Sequence, residues 1–157
     1  LFLSEAPGYQ GARLTGVPFT SEYIILNGVR SLNIFGKNKG YRKTKEFDRE
    51  KKEPSATIVW KAIAEAGHAP LLWGSYPLHP HRDDNKWSNR KPTLDEVKLG
   101  QRFFLELVDM FNIKEIIAVG RVAEASLASM GMHCRMIRHP ANGGANKFRQ
   151  GLFKILK

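Results

Sequence analysis

The stretch HPANGGANKFRQG, residues 139–151, sets an imidazole, a rigid ring, paired glycines and two cations in close succession. An imidazole such as that of His139 gives or takes a proton near neutral pH, and Pro140 behind it limits where the ring can point. Gly143 and Gly144 let backbone come close to a ligand, while Lys147 and Arg149 suit phosphate oxygens. A second stretch, SEAPG, places the carboxylate of Glu5 where an apolar run ends. A carboxylate and an imidazole together suit acid–base work or the stabilisation of separated charges.

The 157 residues suffice for one domain, residues 1–157, with a single hydrophobic core. With 42% hydrophobic and 25% charged residues, the composition is that of a soluble globular protein and not of a disordered chain. No apolar run approaches the roughly 20 residues of a membrane span, and the ordered parts of a signal peptide are missing. A cytoplasmic location without a membrane partner is therefore expected. The first residues, LFLSEAPG, open as an apolar run with no turn or cap before them, as though the chain began inside a strand. Cys134 is the only cysteine, which excludes an internal disulfide and a four-thiolate metal or iron–sulfur site in these residues. A formal net charge of +10 attracts polyanions through counterion release, which makes nucleic acid the leading partner.

Short strands alternate with longer helical patterns. Leu1 to Leu3 read as a buried strand, followed by a Gly- and Pro-rich loop through APGYQGARLTGVPF. The basic stretch FGKNKGYRKTKEFDREKKEPS reads as an exposed excursion. Ser55 after Pro54 is the expected cap of a helix ATIVWKAIAEA that stops at Gly67. LLWGSYP is a second strand ended by Pro77, and the polar loop LHPHRDDNKWSNRKP follows. Thr93 with Glu96 forms a capping box, and Leu94, Val97, Gln101, Phe104, Leu105, Val108 and Phe111 give a helical period up to Asn112. IKEIIAVG is a third strand, RVAEASLASMG a short helix, HCRMIRHP a fourth strand and ANKFRQGLFKIL a last helix. Strands joined by helices predict an α/β fold, a three-layer α/β/α sandwich around a central, mainly parallel four-stranded sheet.

Ligands of such folds gather at the carboxyl ends of the strands. The four ends here read SEAPG, GSYPLHP, VGR and RHPANGG, which is where the unusual residues lie.

In order along nearly the whole chain, these stretches resemble the uracil-DNA glycosylase superfamily, and most of all its bacterial branch with a GEAPG first motif and no iron–sulfur cluster. SEAPGYQGARLTGVPFTSE resembles the first motif with its base-stacking aromatic, EPSATIVW and SNRKPTLDE resemble linking segments, and RHPANGGANKFRQG resembles the His-Pro motif with its DNA-probing loop.

The resemblance implies a monofunctional DNA glycosylase of base excision repair, hydrolysing the N-glycosidic bond of uracil, or a related deaminated base, flipped out of DNA. Glu5 would stabilise the sugar cation and position water, and His139 would donate to the leaving base oxygen. Phe19 would stack on the extruded base. The main chain of Gly8, Tyr9 and Gln10 would meet the pyrimidine edge, with Tyr9 walling the pocket. Asn142, Asn146 and Phe148 would fill the gap left in the duplex, while Lys147, Arg149, Ser21, Asn89 and Arg90 would touch the DNA backbone. A monomer is implied, acting on DNA that contains a damaged base, with no metal or organic cofactor.

Two departures bear on that expectation. Many members of the superfamily read the base with an Asn in a motif resembling WN, where this chain has Gly74; selection would fall to backbone, Ser75 or another group. Members with an iron–sulfur cluster carry four cysteines and further acids after APG, where this chain has Gly11 and Ala12. A catalytically silent DNA-binding relative, or a glycosylase for another damaged base, therefore stands as the alternative. A serine esterase would need a GxSxG elbow, which does not occur. HPHRDD, with His79, His81, Asp83 and Asp84, reads as a solvated loop before it reads as a ligand set.

Overall fold

The protein is described by a computed structural model over residues 1–156. Four three-residue strands, β1 (Phe2–Ser4), β2 (Leu72–Gly74), β3 (Ile117–Val119) and β4 (Arg135–Ile137), form an all-parallel sheet in the order β2-β1-β3-β4. Phe2 pairs with Leu72 on one side and Ile117 on the other, so β1 lies centrally.

Among the described residues there are six α-helices: α1 (Ala12–Thr15), α2 (Glu22–Asn27), α3 (Pro54–Ala66), α4 (Leu94–Met110), α5 (Arg121–Ser129) and α6 (Ala145–Leu156). The strand period of two sorts the sheet residues between two cores. Phe2, Leu72, Ile117, Val119 and Ile137 meet Val59, Trp60 and Ile63 of α3 and Phe148 and Leu152 of α6. On the opposite face Leu3 and Ala118 meet Phe104 of α4 and Ala123 and Leu127 of α5. The result is the expected three-layer sandwich. Its topology explains the layering: the chain leaves β1 in one direction along the sheet and β2 in the other, and right-handed crossovers then cover opposite faces.

The ends of α3 and α4 differ in how they match the sequence pattern. The capping box of Thr93 and Glu96 starts α4 as expected. The helix ends at Met110, just before Asn112 turns left-handed at φ +49°. Gly100 lets α4 lie against the end of β2, since a Cβ there would stand 1.8 Å from the Ser75 carbonyl oxygen. Ser55 is not the cap of α3. Pro54 occupies the first turn, where its missing N–H costs nothing, and the carboxylate of Glu53 accepts from the backbone N–H groups of Ser55 (3.0 Å) and Ala56.

One 3₁₀ turn, Arg30–Leu32, precedes the basic excursion, and a second, Lys37–Lys39, lies within it. The excursion is exposed for much of its length but fastened from beneath. Glu22, 1% exposed, accepts from the Thr44 N–H and hydroxyl at 2.7 Å each and from the Lys51 N–H at 3.0 Å. Among the described residues, no helix is long and apolar enough to cross a membrane.

Candidate active site

Strand ends β1 and β2, the loop before α1, the start of α3 and the His-Pro turn surround a cavity of about 380 Å³. That volume falls within the range of small-molecule pockets. Glu5, Gly8, Phe19, Gly74, Asn89, Arg90 and His139 line it, so seven residues scattered through the sequence converge on one space. Parallel strands bring Glu5, Gly74 and His139 together, because their carboxyl ends open on the same edge, and the loops after β1 and β2 add Gly8, Phe19, Asn89 and Arg90.

Glu5 follows β1 directly, and its carbonyl accepts from the Tyr76 N–H at 3.1 Å, which holds the loop after β1 to the loop after β2. Its carboxylate has no hydrogen-bonding partner among the described residues. Burial pushes the Glu5 carboxyl above its ordinary value, and Lys91 opposes that shift. A carboxylate held apart from backbone donors in a half-buried pocket remains available for a developing positive charge.

His139 follows β4. Burial pushes its imidazole below the usual histidine value, with Glu53 opposing and Arg138 assisting. The neutral ring accepts at Nδ1 from the Ala141 N–H at 3.1 Å, which places its proton on Nε2. Gly120, at the end of β3 with φ +90°, lies so close that a Cβ would stand 3.0 Å from the His139 Cβ. Gly144 is tighter still: a Cβ would stand 2.0 Å from the His139 carbonyl oxygen. The glycines behind the His-Pro pair thus permit the turn to fold back beneath the histidine.

Phe19 lines the cavity with φ +58°, a left-handed conformation that costs a bulky residue about 1–2 kcal/mol. The indole N–H of Trp60 in α3 donates to the Phe19 carbonyl at 3.0 Å, and Thr20 closes the turn by donating its hydroxyl to Val17 at 2.6 Å. Asn89 lines the cavity and its Oδ1 accepts from the Tyr9 N–H at 3.0 Å, so the main chain of Tyr9 is engaged by the protein itself. Tyr9 and Gln10 are joined side chain to side chain and do not line the cavity. Gly74 is buried at the cavity wall, where a Cβ would stand 3.0 Å from the Tyr76 carbonyl oxygen.

Several expected contacts are placed elsewhere. Ser75 is buried and donates to the Ser4 carbonyl at 2.6 Å, locking β2 to β1. Ser21 is fully buried with its hydroxyl unpartnered, so it offers nothing to the solvent side. Phe148 cannot fill a gap in DNA from its observed place. It is fully buried in the core between α3, α6 and the sheet, because the period of α6 turns positions 148 and 152 inward. Arg90 reaches the cavity wall but is held in a two-point pair with Glu96 at 2.7 and 2.8 Å, and also donates to the His81 carbonyl. That pair holds the Glu96 carboxyl down at about 2. Arg149 pairs with Glu65 at 2.6 Å on the outer side of α6. Asn142, Asn146 and Lys147 are exposed around the start of α6, outside the cavity lining.

The loop HPHRDD is not simply solvated. His79 donates from Nδ1 to the Pro7 carbonyl at 2.7 Å and stacks with His81 at 5.6 Å, which ties this loop to the loop after β1. Among the described residues, no three or more His, Cys, Asp or Glu side chains are grouped to hold a metal ion.

Glu53 was not expected in the site. It lines the cavity while capping α3, and its charge acts on His139. The sequence signal was its place directly before Pro54, the position that caps a helix whose first residue is proline.

No protein-family model matches this chain, and no curated protein is significantly similar to it.

Proposed function

We propose that the protein is a DNA glycosylase that hydrolyses the N-glycosidic bond of uracil, or a related deaminated base, flipped out of DNA. One observation carries this reading: a half-buried carboxylate with a raised pKa and a neutral imidazole with its proton on Nε2 line one cavity of nucleobase-compatible size. Cleavage separates charge. The sugar becomes oxocarbenium-like and the base departs as an anion, so the site needs a negative group at one pole and a hydrogen-bond donor at the other.

Glu5 supplies the first and His139 the second. As the bond from C1′ to the base nitrogen lengthens, the electron pair leaves with the base, and Nε2–H of His139 stabilises the oxygen on which the charge collects. Water held by Glu5 then attacks C1′, and its proton passes to Glu5 and on to the departing base. A neutral donor suits this step, because the base leaves as an anion that need not be protonated in the transition state. Phe19 offers a ring against the extruded base. The reading takes the chain to act as a cytoplasmic monomer in base excision repair, on DNA with a damaged base and with no cofactor.

Gly74 favours a second reading, a relative that binds DNA without cleaving it, since no side chain there can pair with a base edge. Alkali-revealed cleavage of labelled oligonucleotides separates the two. Substrates carry uracil opposite G, opposite A and in single strand, with thymine opposite G and hypoxanthine as comparators. Glycosylase action predicts uracil cleavage that falls by about 10²–10⁴-fold in Glu5→Gln and in His139→Ala. Duplex binding without cleavage of any substrate would establish the second reading.

A further inference from the structure

We propose that the excursion between α2 and α3, residues 37–52, is a DNA-backbone-binding surface beside the cavity, and that Arg42, Lys45 and Arg49 are its phosphate contacts. The identity of the polyanion rests on the glycosylase reading; the surface itself rests on how charge is arranged in the segment.

Eight cations, Lys37, Lys39, Arg42, Lys43, Lys45, Arg49, Lys51 and Lys52, share this segment with only three acids, Glu46, Asp48 and Glu50. Two of the acids face the protein. Glu46 takes a two-point bond from Arg13 at 2.8 and 3.0 Å and one from the Trp87 indole at 3.0 Å, while Glu50 accepts from Asn27. Anchoring holds Glu46 down at about 2. Beneath them the buried Glu22 binds Thr44 and Lys51, and the Lys51 carbonyl accepts from the Tyr23 N–H. Arg42, Lys45 and Arg49 are exposed and pair with no carboxylate among the described residues.

A merely solvated charge run does not need this fastening. Burying the Glu22 carboxylate costs free energy that three hydrogen bonds must offset, and what they hold in place is a run of unpaired cations. Position supports the same conclusion. Arg13 follows the cavity-lining Ala12, Trp87 belongs to the loop that supplies Asn89 and Arg90, and the segment leads directly into the cavity-lining Glu53. The surface therefore borders the space that a flipped nucleotide would enter, where backbone phosphates on either side of it must be held.

The test measures binding of a fluorescein-labelled duplex without uracil, by anisotropy, at several salt concentrations. Arg42→Ala, Lys45→Ala and Arg49→Ala combined are expected to weaken binding roughly tenfold or more near 0.1 M salt. The slope of log affinity against log salt should become shallower by about three. Arg42→Lys with Arg49→Lys, which keeps the charges, should bind as the parent does. Lys98→Ala with Arg102→Ala, on the exposed side of α4, should change neither affinity nor slope. Unchanged affinity and slope in the folded triple variant would overturn the proposal, as would an equal loss in the α4 variant. Parent protein that binds duplex through this segment yet excises no base would support the surface and refute the glycosylase reading.

Discussion

The backbone N–H of Ala141 donates to Nδ1 of His139 across 3.1 Å, with Pro140 between them. The fixed φ of proline holds the short span that this bond closes, and the bond in turn assigns the histidine tautomer. A ring that accepts at Nδ1 and is kept neutral by burial brings an Nε2–H donor to the cavity it lines. His-Pro is thus a device for presenting a donor.

The pH dependence follows from that arrangement. The proposed excision would need Glu5 ionised and His139 neutral, and burial raises Glu5 above its ordinary 4.5 while lowering His139 below its ordinary 6.5. Both groups gain a proton as pH falls, so both losses lie on the acid side. A profile of kcat/KM is expected to be level from about pH 7 upward and to decline in the interval between those two ordinary values. Activity that fell instead as pH rose through neutrality would mean that His139 works as an imidazolium.

Glu5 should also carry a stability cost. A carboxyl whose folded pKa is raised binds protons more readily in the folded state, so the stability it contributes is present at low pH and lost as pH rises through the folded value. At pH 7 the charged group is a burden, and Glu5→Gln is expected to raise the melting temperature. The same variant should lose excision. His139 has the opposite linkage: its lowered pKa makes the folded state less stable as pH falls below 6.5. Calorimetric melts at pH 7 decide the point for Glu5, since a variant that melts lower would show that its carboxylate serves the fold.

Much of the fold was legible because period and caps carried it. Alternation in Phe2 and Leu3, the capping box of Thr93 and Glu96, and Pro or Gly at strand ends each correspond to an observed element. The convergence of Glu5, Gly74 and His139 followed from parallel strands, whereas Phe19, between α1 and α2, was marked only by the resemblance of its motif. Three features were hidden for different physical reasons. Glu53 is an uncommon cap residue, and Ser55 beside it is a common one. Phe148 sits among polar neighbours that suggest surface, although its spacing to Leu152 is that of a buried stripe. Arg90 and Glu96 are joined by a loop-to-helix turn that no local pattern announces, so an arginine expected to meet phosphate meets a carboxylate.

The two adjacent glycines after the His-Pro pair should respond differently to alanine. Gly143 has φ +74° with open space where a Cβ would go, so Gly143→Ala meets only backbone strain of about 1–2 kcal/mol. Gly144 does not have a left-handed backbone, but a Cβ would stand 2.0 Å from the His139 carbonyl oxygen and 2.9 Å from that of Ala141. Gly144→Ala must therefore move the turn that orients the imidazole. Excision is expected to fall at least tenfold further in Gly144→Ala than in Gly143→Ala, with the acid limb of its pH profile shifted, because the bond from Ala141 to His139 is disturbed. Equal kinetics in the two variants would show that the turn does not set the histidine's geometry.

Phe19 offers the sharpest separation of packing from binding. Its left-handed backbone is held by the indole of Trp60, which also meets the ring of Phe35 edge-on at 5.2 Å. Trp60→Phe keeps an aromatic against Phe35 but removes the only indole donor to the Phe19 carbonyl, at a cost of about 1–3 kcal/mol for the unpaired group. Freed from that anchor, Phe19 can relax to a common conformation and withdraw its ring from the cavity wall. Phe19→Leu, by contrast, leaves the carbonyl and its bond in place and removes only the aromatic face. If the ring stacks on the extruded base, both variants should raise KM for a uracil-containing oligonucleotide several-fold, while Trp60→Phe alone lowers the melting temperature substantially. Matching losses of stability with unchanged KM in both variants would make Phe19 a core residue that happens to border the cavity.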